Sequence, residues 1–272
     1  MVNGYFPTSL KEALEYRSLG DSIPYSGGTD LMIEGHPNAN YLFLHLVPEM
    51  KQVTEDSDYI RVGAGCTFSE LIGHPLTPPI LKEAVSQIAA PATRNFGTVG
   101  GNIGNGSAKA DSALIFFVTD SVLHLASKNS DRLIPIKEFY LGRKRLALAP
   151  DELIVDILIP KTSLCSYYYK KVGARNAQAI SRVCFAGLMD IADGKIVKCD
   201  TAFGAVSEVV LRLDNLDLSL LCKTIPEAKA IKAELLKDYE QAIVPISGRI
   251  SSEYRKDVCM NLLNDFLDTF GI

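Results

Sequence analysis

Apolar residues recur at helical spacing at the start of the chain. In "TSLKEALEYRSLGDS", Leu10, Ala13 and Leu14 fall on one face. Ser9 is placed to cap that helix, Glu12 to complete a capping box, and Gly20 to end it. The spacing then changes. "IPYSGGTDLM" predicts a short strand running into a glycine turn, and "YLFLHLV" and "YIRVGAG" are β-rich runs. "FSELI" and "PPILKEAVSQIA" predict helices, the second with proline at its start. "SALIFFVTDSVLHLAS" is apolar enough to be buried throughout; its length and β-branching predict a helix passing into a strand near Asp120. "RLIPIKEFY" and "ELIVDILIP" predict a strand, a short helix and another strand.

The texture changes after Pro160. "CSYYYKKVG", "SRVCFAGLMDIADGKIVKCDTAFGAV" and "VVLRLDNL" have the pattern of successive antiparallel strands, with Asp193-Gly194 as a hairpin turn. "TIPEAKAIKAELLKDYEQA" and "SSEYRKDVCMNLLNDFLDTF" predict two late helices. The outline is an α+β chain with a boundary near Lys161. It divides an N-terminal binding region (residues 1–160, with subdomains of about 1–50 and 51–160) from a C-terminal sheet-and-helix region (residues 161–272).

Composition narrows the function. The 272 residues are 47% hydrophobic and 22% charged, which is ordinary for a globular protein with a large core. A net charge of −4 without a Lys/Arg-rich block argues against nucleic acid or an anionic membrane as partner; "GRKRLAL" is the densest basic run and reads as a solvated loop. No segment reaches the roughly 18 apolar residues of a membrane span, and the N-terminus lacks the regions of a signal peptide. The six cysteines, at 66, 165, 184, 199, 222 and 259, show no C-x-x-C spacing, and the four histidines are equally dispersed. Free thiols in a reducing cytoplasm and no metal site are the expectation.

The candidate chemistry lies in glycine. "GTVGGNIGNG" has Walker-like spacing at Gly101 and Gly106, but Ser107 occupies the lysine position. "VGAGCTF" follows a strand, yet Phe68 stands where a dinucleotide fingerprint needs its third glycine, and a tight strand exit explains it. Two lysine-free segments remain, "SGGTDL" (Ser26 to Leu31) and "GTVGGNIGN" (Gly97 to Asn105). Consecutive glycines let backbone N–H groups form an anion-binding concavity. Threonine and asparagine add neutral donors, and Asp111 is placed to accept from a hydroxyl. Nucleotide binding and two structural turns both remain open on these residues alone.

At these residues the chain resembles the FAD-binding (medium) subunits of molybdenum hydroxylases, the xanthine dehydrogenase and carbon monoxide dehydrogenase family. "SGGTDL" matches the family's first glycine turn, and "RNFGTVGGNIGNGSAKAD" matches its second segment about seventy residues later. "IPIKEFYLGRKRLALAPDELIVDILIP", "YYYKKVGARNAQAISRV" and "RISSEYRKDVCMNLL" continue the likeness over nearly the whole chain. Lys109, in "SAKAD", stands where a neutral residue is usual, and Gly97 replaces a usual alanine.

The resemblance implies two FAD-binding subdomains of the vanillyl-alcohol-oxidase/PCMH type, followed by a three-stranded antiparallel sheet with helices. It implies one jaw of Tyr25, Ser26, Gly27, Gly28, Thr29, Asp30 and Leu31 on the FAD pyrophosphate. The other jaw is Gly97, Thr98, Gly101, Asn102, Gly104, Asn105 and Asp111, with Asp111 near the ribose or adenine. Ile154 is expected to line the adenine or ring pocket, and Lys171, with Lys170 as its rival, to lie near the isoalloxazine. The implied partners are a molybdopterin-binding large subunit and a [2Fe-2S] small subunit, with NAD+ or another electron acceptor. No side chain is required as a general acid or base. A self-contained flavoprotein oxidase and a non-catalytic nucleotide-binding subunit are the rival readings.

Overall fold

The structure is a computed structural model that describes residues 3–272 apart from 37, 163, 165 and 249. It divides into two compact units.

The first unit comprises Met1–Thr77, Ile88–Ser107 and Asp120–Lys161. Strands β1 (Asn3–Tyr5), β2 (Ser22–Tyr25) and β3 (Asn40–Phe43) form a parallel sheet with β3 in the middle. Parallel strands need a crossover, and the helix Leu10–Arg17 lies in the one that carries the chain from β1 past the place of β3 to β2. Ser9 caps it as expected, accepting from the Glu12 N–H at 3.2 Å. The Glu12 carboxylate departs from the expected box: it takes the N–H and hydroxyl of Thr8 instead. A second, antiparallel sheet of the same unit is built from β4 (Val53–Glu55), β5 (Tyr59–Gly63), β6 (Val122–Ala126), β7 (Asp131–Pro135) and, after a small ribbon of β8 (Tyr140–Gly142) and β9 (Arg145–Leu146), β10 (Leu153–Pro160). Its order is β4-β5-β10-β6-β7. The apolar run of β10 explains its central place, since six of its eight residues are buried.

The second unit comprises Pro78–Gln87, Ala108–Thr119 and Thr162–Ile272. Strands β11 (Tyr167–Val172), β12 (Val183–Ala192) and β13 (Lys195–Gly204) form a three-stranded antiparallel sheet. Ala192 pairs with Lys195, so Asp193-Gly194 is a two-residue turn, and its φ angles of 51° and 74° are those of the mirror-image hairpin type. The 18-residue helices Ile225–Ala242 and Ser252–Thr269 close the core around Phe185, Phe203 and Phe266. The helix Asp111–Val118 is buried at every position, which its all-round apolar sequence requires. At its first residue, Asp111 accepts from Ser181 Oγ at 2.5 Å and from Lys171 Nζ at 2.7 Å.

The expected strand in "VVLRLDNL" does not form. Leu211 makes a single bridge to Phe203. The Arg212 guanidinium then pairs with Asp200 at 2.9 Å and Asp214 at 2.8 Å, and the chain turns into the helix Asp214–Asp217. Five described cysteines are free thiols; Cys165 lies outside the described residues. Among the described residues no helix is long and apolar enough to cross a membrane.

Paired charges make two contributions to stability that can be measured. His124 on β6 lies between Asp156 at 3.1 Å and Asp131 at 2.9 Å, with Arg61 reaching the other oxygen of Asp156. Its hydrogen bond to Asp156, joined by that to Asp131, outweighs burial and raises its pKa to about 9, from about 6.5 in an unfolded chain. The folded state therefore binds the proton more tightly. The contribution is full below about pH 6.5 and is lost as pH rises through about 9. The melting-temperature difference between wild type and His124→Gln is expected to be largest near about pH 6 and to shrink to nothing above about pH 10. In the second unit, Asp111→Asn strands the Lys171 ammonium, whose side chain is only 9% exposed. Chemical denaturation is expected to show a loss of about 3–5 kcal/mol.

Candidate functional site

The two glycine segments meet in the first unit. The first follows β2 directly, and the second begins after the turn at Phe96. Thr98 Oγ1 donates to Ser26 Oγ at 2.9 Å, and Asn105 Nδ2 donates to the Asp30 carboxylate at 2.8 Å. The contact is too close for side chains: a Cβ on Gly27 would collide with the Phe96 carbonyl, and one on Gly100 with Ala64. Gly28 has a φ of 69°, which favours glycine, and packs over the Tyr25 hydroxyl.

The second segment is not a turn. Val99–Gly104 is a short helix, capped by the Thr98 hydroxyl on the Gly101 N–H at 3.1 Å. The N–H groups of Val99 and Gly100 are tied to the Cys66 and Ala64 carbonyls. The first segment differs: among the described residues the N–H groups of Gly27, Gly28, Thr29 and Asp30 meet no acceptor. Consecutive free amides on a glycine turn form a concavity for an anion.

Both segments line one cavity of about 360 Å³. Residues 26–31, Gly97, Thr98, Gly101, Asn102, Gly104, Asn105 and Ile154 are all on its wall. Tyr25 supports the first segment from behind, packed against Phe43 with ring centres 4.9 Å apart. Asp111 and Lys171 belong to the second unit, where they pair with each other; Lys171 also donates to the Gln87 carbonyl at 2.9 Å. Lys170 and Lys109 are exposed.

The wall also holds residues that carried no local signal in the sequence: Arg17, Glu34, Phe68, Leu148 and Glu152. Glu152 is 4% exposed and is neutralised by two bonds from Arg132, at 2.6 and 2.8 Å, which hold its carboxyl below the usual range. Glu34 pairs with Lys144 at 2.9 Å. Arg17 gives one N–H to the Ser22 carbonyl, while its Nε is enclosed without an acceptor. Burial pulls the Arg17 pKa down, with Asp151 acting in the opposite sense.

The donors suit a diphosphate, and the apolar remainder of the wall, including Ile23, Leu44, Met50 and Leu153, suits flat rings. Fold and site together offer the unpaired backbone donors and apolar wall that a dinucleotide would require. Comparison with known proteins gives the family. Residues 1–162 match the FAD binding domain in molybdopterin dehydrogenase, and residues 167–270 match the CO dehydrogenase flavoprotein C-terminal domain. The xanthine dehydrogenase FAD-binding subunit of Escherichia coli O157:H7 is 31% identical over 244 residues, covering 85% of this chain and 82% of that one. The nicotinate dehydrogenase FAD-subunit of Eubacterium barkeri is 28% identical over 214 residues, covering 73% of this chain and 69% of that one. In fold, the quinoline 2-oxidoreductase structure from Pseudomonas putida 86 is similar with a TM-score of 0.89 at 22% identity, over 99% of this chain and 96% of that one. The chain belongs to the FAD-binding family of the molybdenum hydroxylases, and is an FAD-dependent oxidoreductase component.

The glycines separate folding from binding. A Cβ on Gly104 meets nothing closer than Ile154 Cδ1 at 3.9 Å, yet Gly104 is on the cavity wall. Gly104→Leu is expected to leave the melting temperature of the flavin-free chain within a few degrees of wild type while weakening FAD binding at least about tenfold. Gly27→Ala, which clashes with backbone, is expected to lower both. Flavin fluorescence titration and a thermal melt distinguish the two.

Proposed function

We propose that this chain is the electron-transfer subunit of a molybdenum hydroxylase complex in the cytoplasm. It works beside a molybdopterin-binding large subunit and a [2Fe-2S] small subunit, and passes electrons to NAD+ or another acceptor. The observation that carries the reading is the pair of bonded glycine segments on the wall of one cavity, one of them with four amides that meet no acceptor among the described residues. FAD, when bound, supplies both one-electron and two-electron chemistry. With NAD+ as acceptor, that chemistry would let two single electrons from the iron–sulfur partner and one proton leave together as a hydride equivalent on NADH.

This chain's residues contribute binding and orientation. The Gly27–Asp30 amides hold the diphosphate, the Thr98–Ser26 bond fixes the spacing of the two segments, and Ile154 limits the ring pocket. Asp111 and Lys171, which pair with each other at 2.7 Å in the second unit, are not given a cofactor contact. Residues 1–160 are proposed as the FAD-binding domain proper. None of these residues needs to move a proton, so no catalytic acid or base is assigned.

The purified chain is expected to show the visible bands of oxidised flavin and to release FAD, not FMN, on denaturation. In the assembled complex, NADH is expected to form at the rate of substrate oxidation. A complex that bleaches its flavin but forms no NADH, while reducing another acceptor, removes NAD+ from the proposal.

A further inference from the structure

We infer that the short helix Leu31–Glu34 is a lid on the cavity, latched by the Glu34–Lys144 ion pair, and that this latch sets how fast the cofactor enters and leaves. That the cargo is FAD rests on the reading above, while the lid itself rests on three features of the first unit.

The first is how little holds the helix down. It has four residues, none of them buried, and the N–H groups of residues 32–35 bond only within the stretch 28–35. Met32 and Ile33 are 55% and 83% exposed. Segments with few buried apolar contacts are the ones that open at the lowest cost in free energy. Glycines with positive φ bracket the stretch, Gly28 at 69° and Gly35 at 71°, and a Cβ on Gly35 would meet nothing within 4 Å. Glycine at such a position absorbs a change of dihedral angle readily.

The second is the latch. Glu34 Oε1 accepts from Lys144 Nζ at 2.9 Å, which ties the helix to a part of the chain 110 residues away. Lys144 lies between β8 and β9 with a φ of 55°. Its own N–H donates to the Gly106 carbonyl at 3.1 Å, just beyond the second glycine segment. The Glu34 and Lys144 side chains are 46% and 59% exposed. An exposed pair is weak and screened by salt, so it holds reversibly.

The third is what the helix adjoins. Leu31 and Glu34 are on the cavity wall, and the helix follows directly on the Gly27–Asp30 amides. Along this stretch the ties to the rest of the unit pass from part-buried to exposed. The Thr98–Ser26 bond is part-buried, whereas the Asn105–Asp30 and Lys144–Glu34 bonds are exposed. Release of the Glu34 end therefore frees the helix while the Ser26 tie still holds the two glycine segments together.

Two measurements test the lid, on the full chain as wild type, Lys144→Met, Glu34→Gln and the double variant that exchanges the charges, Glu34→Lys with Lys144→Glu. Stopped-flow flavin fluorescence gives the rates of FAD binding and release. Either single substitution is expected to raise both rates by about two- to fivefold and to leave the dissociation constant within about twofold. Charge exchange is expected to bring both rates back toward wild type. Added salt is expected to quicken release from wild type more than from Lys144→Met, which has no pair to screen. Hydrogen exchange at the amides of residues 32–35 in the flavin-free chain is expected to quicken by about the same factor in the single variants. Wild-type rates and wild-type exchange in both single variants overturn the inference. Slower binding with unchanged release in Lys144→Met also overturns it, since Lys144 then attracts the anion rather than latching the helix. Should one variant fail to fold, the other decides by the same readings. A wild-type chain that binds no flavin defeats the functional reading, and hydrogen exchange then decides the lid alone.

Discussion

The structure of the first unit depends on the close approach of other parts of the chain to the backbone at two glycines. Gly27 faces the Phe96 carbonyl and Gly100 faces Ala64, at separations that exclude even a methyl group. Once the backbones are that close, the remaining features have little freedom. Thr98 reaches Ser26, Asn105 reaches Asp30, and the Gly27–Asp30 amides, on a segment that lines the cavity, are left without an acceptor among the described residues. Glycine costs conformational entropy on folding, and here that cost is offset by hydrogen bonds that no larger residue would permit. The binding surface and the packing constraint are therefore the same atoms.

Charge is arranged to leave this surface selective for a neutral-to-anionic ligand. The carboxylates that intrude on the cavity are already satisfied, Glu152 by Arg132, Glu34 by Lys144 and Asp30 by Asn105. Burying a carboxylate without a partner is expensive, so Arg132 stabilises the buried Glu152, and it and Lys144 offset the charges of Glu152 and Glu34 beside a phosphate. Donors, by contrast, are left in excess, in the amides of one segment and in the guanidinium of Arg17.

Much of the fold was legible because its elements declare themselves locally. The period of Leu10, Ala13 and Leu14, the Asp193-Gly194 turn, and the break at Asp120 with its φ of 51° each follow from a few adjacent residues. What escaped the sequence is imposed from a distance. "VGGNIG" has poor intrinsic helix propensity, and becomes helical because Thr98 caps it and the Ala64 and Cys66 carbonyls anchor its first amides. "VVLRLDNL" has strand character, but Arg212 is claimed by Asp200 and Asp214. Thirteen of the residues read as cofactor contacts share one wall. Arg17 and Glu152 share it too, yet neither sits in a motif, because they reach it from a helix end and a loop far apart in the chain.

The order of segments along the chain has a consequence for how the protein is made. The helix Asp111–Val118 follows the second glycine segment by only six residues, yet apart from the earlier Pro78–Gln87 it belongs with residues synthesised after Thr162. Its surface is apolar on all sides, and β12 and β13, which pack on it, are among the later elements to leave the ribosome. Through the intervening stretch of synthesis that helix has no partner strand. A nascent chain in this state exposes the kind of surface that chaperones bind, so the order in which this protein emerges makes its biogenesis more demanding than its modest size suggests.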